Sequence, residues 1–251
     1  MSTSAPLDGA FNATAERCSP LEIDRGELAY LQNNLKREVA YLKVLLTGFD
    51  AFGGESINPA WEVVKKVQEE GIEGITLIAR QLPTVFGEAI RQAVEAIATD
   101  HPSFVISLGQ AGGRPDISLE RIALNINDAS IADNQNNQPI DVPVVAGAPA
   151  AYFSTLPIKA IVEEIRNEGI PASVSNTAGT FVCNHIMYGI LHHISEYRLP
   201  IKAGFIHIPY LPEQAVHHKG APSMALADMV RALQAAIIVC VERQGETPEF
   251  C

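Results

Sequence analysis

The chain has 251 residues, 47% hydrophobic and 19% charged, the balance of a globular protein able to bury a sizeable core. Its formal charge of -11, with no basic run longer than a lysine pair, argues against nucleic-acid binding, which needs clustered Lys and Arg. No apolar run approaches the roughly 20 residues of a membrane helix, no basic-then-apolar leader is visible, and the cysteines at 18, 183, 240 and 251 show neither CxxC spacing nor the density of a disulfide scaffold. A cytoplasmic protein with reduced thiols and no membrane partner is expected. Asn12-Ala-Thr14 matches a glycosylation sequon, read as chance without a secretion signal.

Residues 1 to about 20 are small and polar and read as a disordered tail carrying Cys18. Apolar residues at 28, 31, 35, 39 and 42 recur at helical spacing, so residues 1–42 form an extension with a short amphipathic helix in its second half. From 43 to 251 a single α/β domain is expected. KVLLTGF (43 to 49) reads as a strand, and Asn58 as N-cap with Pro59 at the first helical position opens a helix over PAWEVVKKVQEE. GITLIARQL, VFGEAIRQAVEAIAT and SFVISLG continue the alternation as strand, helix and strand. ERIALNIND, apolar at 122, 124 and 126, has the period of a further strand, and DNQNNQP reads as a surface loop. IKAIVEEIRNEG is read as helix, ASVSNT as strand, the segment after Cys183 as helix, KAGFIHI as strand, and SMALADMVRALQAAIIVCVER as the last helix. Strands alternating with helices predict a three-layer α/β/α sandwich around a largely parallel, mixed sheet. Reactive groups then gather at the carboxyl ends of the strands.

Cys183, in SNTAGTFVCNHIMYGILHHI, falls where a loop becomes a helix, and the free N–H groups of a helix start favour a thiolate. A buried structural cysteine is the competing reading, and the only one for Cys240 among Ala236, Ile237 and Val241. A cysteine nucleophile needs a base. Of the seven histidines, His207 is the one at the end of a predicted strand, closed by Pro209, where it can reach the edge that carries Cys183. A carboxylate to orient the imidazole is available in Glu120, after a glycine turn and before a predicted strand; as a plain surface residue it would pair with Arg114 or Arg121. TGFDAFGGE and GQAGGR match neither GxGxxG nor the Walker spacing, and the histidine pairs at 192–193 and 217–218 carry no HExxH, so neither a nucleotide nor a metal cofactor is expected.

TGFDAFGGESINP, GQAGGRPDISLERIALNINDA, SVSNTAGTFVCN and GFIHIPYLPEQ together resemble the pyroglutamyl peptidase I, or pyrrolidone carboxyl peptidase, family of cysteine peptidases, from residue 43 to at least 217. The resemblance implies that Glu120, Cys183 and His207 form a catalytic triad, that Phe49, Phe52 and Phe181 line an apolar slot for the uncharged pyroglutamyl ring, and that Gln110 is a lactam partner. It also implies peptide substrates with N-terminal pyroglutamate and a homo-oligomer, commonly a tetramer. Ala51 stands where the family pattern has proline, Ser130 where many members have arginine, and residues 1–42 have no counterpart. Ser130 supports a second reading, a 5-oxoproline- or peptide-binding protein with weak or lost turnover. A nucleoside-handling enzyme on a similar sheet lacks residues to read a phosphate or a purine.

Overall fold

In the structure, a computed structural model that describes residues 42–245, KVLLTGF forms β1 (Lys43–Phe49), buried along its whole length after the first residue. A strand with no exposed face belongs in the middle of a sheet covered on both sides. The sheet has six strands in the order β2 (Thr76–Leu82), β1, β3 (Phe104–Gln110), β8 (Lys202–Ile208), β4 (Ile117–Glu120), β7 (Ala172–Ser175). β2, β1, β3 and β8 are parallel, whereas β4 runs antiparallel to β8 and parallel to β7. β5 (Ile122–Leu124) and β6 (Ala151–Phe153) form a separate antiparallel ribbon.

Alternate residues of the strands feed two apolar layers. Val44, Leu46, Phe104, Ile106, Leu108, Ile206 and Ile208 pack against helices α1 (Pro59–Glu70), α3 (Ile158–Asn167) and α6 (Leu226–Glu242). Leu45, Phe49, Val105, Ala203 and Phe205 pack against α2 (Glu88–Asp100) and α4 (Val182–Glu196). The three-layer α/β/α sandwich follows directly from this period of two. Asn58 caps α1 as expected, its Oδ1 accepting from Ala60 N at 3.0 Å while its Nδ2 donates to Asp50 O at 2.9 Å.

α1 leaves β1 toward one face and α2 enters β3 from the other, so the boundary between β1 and β3 is a topological switch point, where ligands of open α/β sheets bind. The pairing shows the opening. β1 stays in register with β2 to Phe49–Leu82 and β3 with β8 to Gln110–Ile208, but β1 and β3 are paired only as far as Thr47–Ser107. The two central strands stop pairing before their carboxyl ends, the place where open α/β sheets have their ligand crevice.

Three details differ from the sequence expectation. The strand expected over ERIALNIND is confined to β5, and a separate strand, β4, precedes it and ends on Glu120, so Glu120 ends a sheet strand instead of preceding one. A period-two search centred on residues 122 to 126 misses β4 because ISLE is buried at every position and shows no alternation. β6 and a single-turn helix α5 (Pro212–Ala215) were too short to show a pattern. Leu42, counted with the N-terminal helix, lies in the core, and its carbonyl accepts from Thr76 N at 3.0 Å. The rest of the predicted extension, with its tail, its helix, Cys18 and the sequon, lies outside the described residues, as does Cys251.

Gly48 sets the distance between β1 and α1. A Cβ there would stand 2.9 Å from Trp61 Cα and N, which are helix backbone and cannot step aside alone. Gly48→Ala is expected to cost about 1–3 kcal/mol through overpacking, read as a lower urea midpoint at unchanged m-value; an unchanged midpoint would mean that α1 does not sit this close.

Candidate active site

Cys183 occupies the second position of α4, after Phe181 at the N-cap, which makes no side-chain capping bond. The segment folds this way because small and polar residues (Asn176 to Thr180) precede an apolar helical face that joins the α2/α4 layer. Asn184, fully buried, locks the helix start to the neighbouring ribbon: its Oδ1 accepts from Leu124 N at 2.8 Å and its Nδ2 donates to Leu124 O and Ile126 O at 2.9 and 3.0 Å.

The thiol lies over β3 at Gly109. A Cβ on Gly109 would come within 2.8 Å of Cys183 Sγ and 2.7 Å of Phe205 Cζ, so only glycine admits the sulfur here. Gly109 is the register partner of His207 on β8, and His207 shares its face with Phe205, ring centroids 4.9 Å apart. Antiparallel pairing of β4 with β8 sets Glu120 opposite Phe205 and Ser118 opposite His207, on that same face. The fold thus collects Cys183, His207 and Glu120 from α4, β8 and β4 in one place. Among the described hydrogen bonds none joins the thiol to the imidazole, whose Nδ1 is engaged by Glu120.

His207 Nδ1 donates to Glu120 Oε1 at 2.7 Å, which leaves Nε2 as the unprotonated ring nitrogen. Arg114 Nη1 donates to the same oxygen at 2.5 Å, and Arg114 Nη2 donates to Thr177 O at 3.2 Å. Burial lowers the pKa of His207 against the opposing pull of Glu120. Burial, aided by the Glu120 charge, pushes the Cys183 thiol up to about 12, with Arg114 opposing. Burial thus opposes the thiolate that the helix start was expected to favour, and it disfavours the charged imidazole as well.

The aromatic residues separate into two groups. Phe52 and Phe181 meet with ring centroids 6.2 Å apart, and Phe86, which the sequence reading did not single out, stands edge-on to Phe181 at 5.4 Å. Phe49 is instead a core residue, 2% exposed and packed on Phe205 at 6.3 Å. Gln110 continues the alternation of Leu108 toward the other face, where its Oε1 accepts from Gln214 Nε2 at 3.0 Å. Ser130 is exposed, and half-buried Ala51 accepts from Asn134 Nδ2 through its carbonyl at 2.9 Å.

The loop read as merely superficial is anchored. Buried Asp133 accepts from Phe86 N at 2.9 Å and from Gln135 N and Asn137 N at 2.8 Å, and Asn134 reaches Asp50 and Ala51, so the loop ties together the segments that carry Phe52 and Phe86. His185, read as bland, completes the tie: Nδ1 faces Asn127 Oδ1 at 2.9 Å and Nε2 accepts from Gly87 N at 2.8 Å.

Two outcomes follow. A thiol held near 12 reacts with iodoacetamide slowly at neutral pH, so the alkylation rate of Cys183 should keep climbing through pH 10; a plateau between pH 6 and 8 would instead show a resting thiolate. Burial also holds His185 neutral, down to about 4 from its ordinary 6.5. The unfolded chain therefore binds more protons between those values, and stability, fully present above about 6.5, falls as pH drops toward 4. Urea midpoints across that window should fall less in His185→Asn than in the unaltered chain, and equal slopes would remove His185 as a source.

Residues 42–243 match the family model described as pyroglutamyl peptidase. The pyrrolidone-carboxylate peptidase of Bacillus anthracis (strain CDC 684 / NRRL 3495) is 58% identical over 196 residues, 78% of this chain and 91% of that protein. That of Yersinia pestis (strain Pestoides F) is 55% identical over 200 residues, 80% and 93% of the two chains. The crystal structure of pyroglutamyl peptidase I from Bacillus amyloliquefaciens superposes with a TM-score of 0.79 at 49% identity, covering 81% of this chain and 96% of that one. A mutant pyrrolidone carboxyl peptidase from Pyrococcus furiosus gives 0.78 at 43% identity, covering 80% and 99%. With the match spanning most of its length and the parted strands, buried carboxylate and helix-start cysteine in one crevice, this chain belongs to the pyroglutamyl peptidase family.

Proposed function

We propose that the protein is a cysteine exopeptidase that hydrolyses the bond after an N-terminal pyroglutamyl residue, with Cys183 as nucleophile, His207 as general base and then acid, and Glu120 orienting the imidazole. The observation that carries this reading is the placement of Cys183 Sγ over Gly109, beside a histidine whose Nδ1 is already committed to a buried carboxylate.

The order of events follows from these assigned roles. Because the thiol rests neutral, it is deprotonated as it attacks: His207 Nε2 takes the proton while Sγ bonds to the pyroglutamyl carbonyl carbon. The oxyanion is met by N–H groups of the first turn of α4, which have no intrahelical partners, and by the Gly112–Gly113 turn. His207 returns the proton to the departing amine, leaving a thioester on Cys183. A water molecule, deprotonated by the same nitrogen, then releases 5-oxoproline.

The crevice suits an uncharged ring. It opens where β1 and β3 part, and we assign its wall to Phe52, Phe181 and Phe86, with Phe52 and Phe86 packing on Phe181 just before the helix turn that carries Cys183. Phe49 backs this wall from the core. Gln110 enters through its main chain at the parted strand end, since its side chain is held on the opposite face by Gln214; Ala111 N donates to Ile208 O, so the Gln110 main chain turns toward β1 and the opening. No described helix is long and apolar enough to cross a membrane. A reactive free thiol works in a reducing compartment, so we place the protein in the cytoplasm, as a homo-oligomer, with the tetramer as the form the family resemblance favours.

Fluorophore release from a pyroglutamyl amide under reducing conditions tests the reading. The intact chain should cleave it and leave an unblocked glutamyl amide untouched, and Cys183→Ala should lose at least about 10³-fold in kcat. A folded chain that binds 5-oxoproline but cleaves nothing would make it the binding protein that Ser130 suggests.

A further inference from the structure

Glu120 has no exposed surface, yet its Oε1 receives two N–H donors, from His207 and Arg114, while its Oε2 has no partner among the described residues. A carboxylate removed from water is costly unless hydrogen bonds and a counter-charge come with it. Neutral imidazole brings a hydrogen bond and no charge. The counter-charge is Arg114, the one Arg or Lys paired with Glu120 among the described residues. Arg114 is itself held from two sides, with Nη2 on Thr177 O at 3.2 Å and its backbone N–H on Ala111 O at 3.1 Å. Its side chain is 32% exposed against 0% for Glu120, so it brings positive charge in from the rim of the site.

We propose that Arg114 is a positioning residue of the reaction: it fixes the Glu120 oxygen that receives His207 Nδ1–H and so keeps Nε2 as the bare nitrogen available to the thiol. The proposal rests on the Cys183–His207–Glu120 reading above. Without the cation, the buried carboxylate is most cheaply stabilised by a proton of its own. A carboxylic acid no longer demands Nδ1–H, the ring is free to change tautomer, and an N–H at Nε2 cannot act as a base. Arg114 also favours the charged thiol and disfavours the charged imidazole, so its removal bears on both members of the pair. In the sequence it had weight only as a surface partner of Glu120; the pairing is real, but it is made inside the site.

The test compares Arg114→Met, Arg114→Lys, Glu120→Gln and the double variant Arg114→Met/Glu120→Gln in the full chain. Arg114→Met should lower kcat about 10- to 100-fold, part of what a general base contributes, with KM little changed, and Arg114→Lys should recover part of the loss. In the Glu120→Gln background, Arg114→Met should cost less than about 3-fold more, because the two residues act as one unit. Losses that multiply in the double variant, or a rise in KM at unchanged kcat, would overturn the proposal. Should Arg114→Met fail to fold, Arg114→Lys in both backgrounds carries the same comparison. Cys183 alkylation against pH needs no turnover and separates this idea from the hydrolase reading: loss of the cation and the protonation of Glu120 that follows remove two opposing influences on the thiol, of which that of Glu120 is the larger, so in Arg114→Met the profile should move to lower pH even in a chain that cleaves nothing, and a profile that stays or moves to higher pH would overturn the proposal.

Discussion

A fully buried carboxylate governs the architecture around the crevice. Glu120 can stand at the end of β4 only because an arginine and a histidine arrive there with it, and each arrival constrains a different element. His207 requires β8 to lie beside β4 in antiparallel register. Arg114 requires the tight turn that begins at Ala111, immediately after β3. The mixed sheet is thus part of the chemistry: an all-parallel neighbour would send the carboxyl end of β4 to the same edge as that of β8 and set a different residue beside His207. Removing either the arginine or the histidine leaves the buried carboxylate with a single donor, which is why such groups are coupled rather than additive.

Two influences compete at the thiol. The start of α4 offers partial positive charge, worth a few tenths to one kcal/mol near a helix end. Burial against Gly109 and Phe205, with a carboxylate close by, works the other way and prevails. A neutral thiol is unreactive toward stray electrophiles, and in the proposed reaction it becomes nucleophilic only when a carbonyl carbon is in place to receive the sulfur as His207 receives the proton. The same enclosure that raises the thiol lowers the imidazole, so both groups are held uncharged by one cause and proton transfer between them creates charge where the oxyanion contacts can stabilise it.

Much of this was legible in the sequence because the signals were local. Asn58 followed by Pro59 marks a helix start on chemistry alone, and β1 and β3 are continuous apolar runs that can only be central strands. Cys183 and His207 were findable because one begins a helix and the other ends a strand. What was not legible depends on pairing between distant segments. ISLE has no period because both its faces are buried, and whether β4 runs with or against β8 is decided by packing over 87 residues of separation between Glu120 and His207. His185 and Asp133 were invisible for the same reason, and Arg114 was visible only as a surface partner of Glu120. Each is an ordinary polar residue until the fold brings Glu120, Gly87 or Phe86 against it.

The crevice also has to be held at one width, and the polar residues around it do so from both sides. On one face, Gln214 is oriented without ambiguity: its Oε1 accepts from Leu211 N, so its Nε2 must face acceptors, and it finds Gln110 Oε1, Glu55 Oε2 and the Ile57 carbonyl. Those acceptors lie at the end of β3 and in the loop after β1, the two lips of the opening. His218 adds a second link from the same segment, pairing with Glu55 at 2.6 Å while stacked on Tyr210, whose ring covers Gly112 so closely that no Cβ fits there. On the other face, Asp133 and His185 hold the loop that bears Phe86, and Asn134 holds the one that bears Phe52. Strands that have stopped pairing with each other would otherwise drift, and a rigid, uncharged ring is recognised by shape, which demands fixed walls more than strong contacts. The polar ties that look incidental in the sequence are therefore what turns a gap between two strands into a site of defined width.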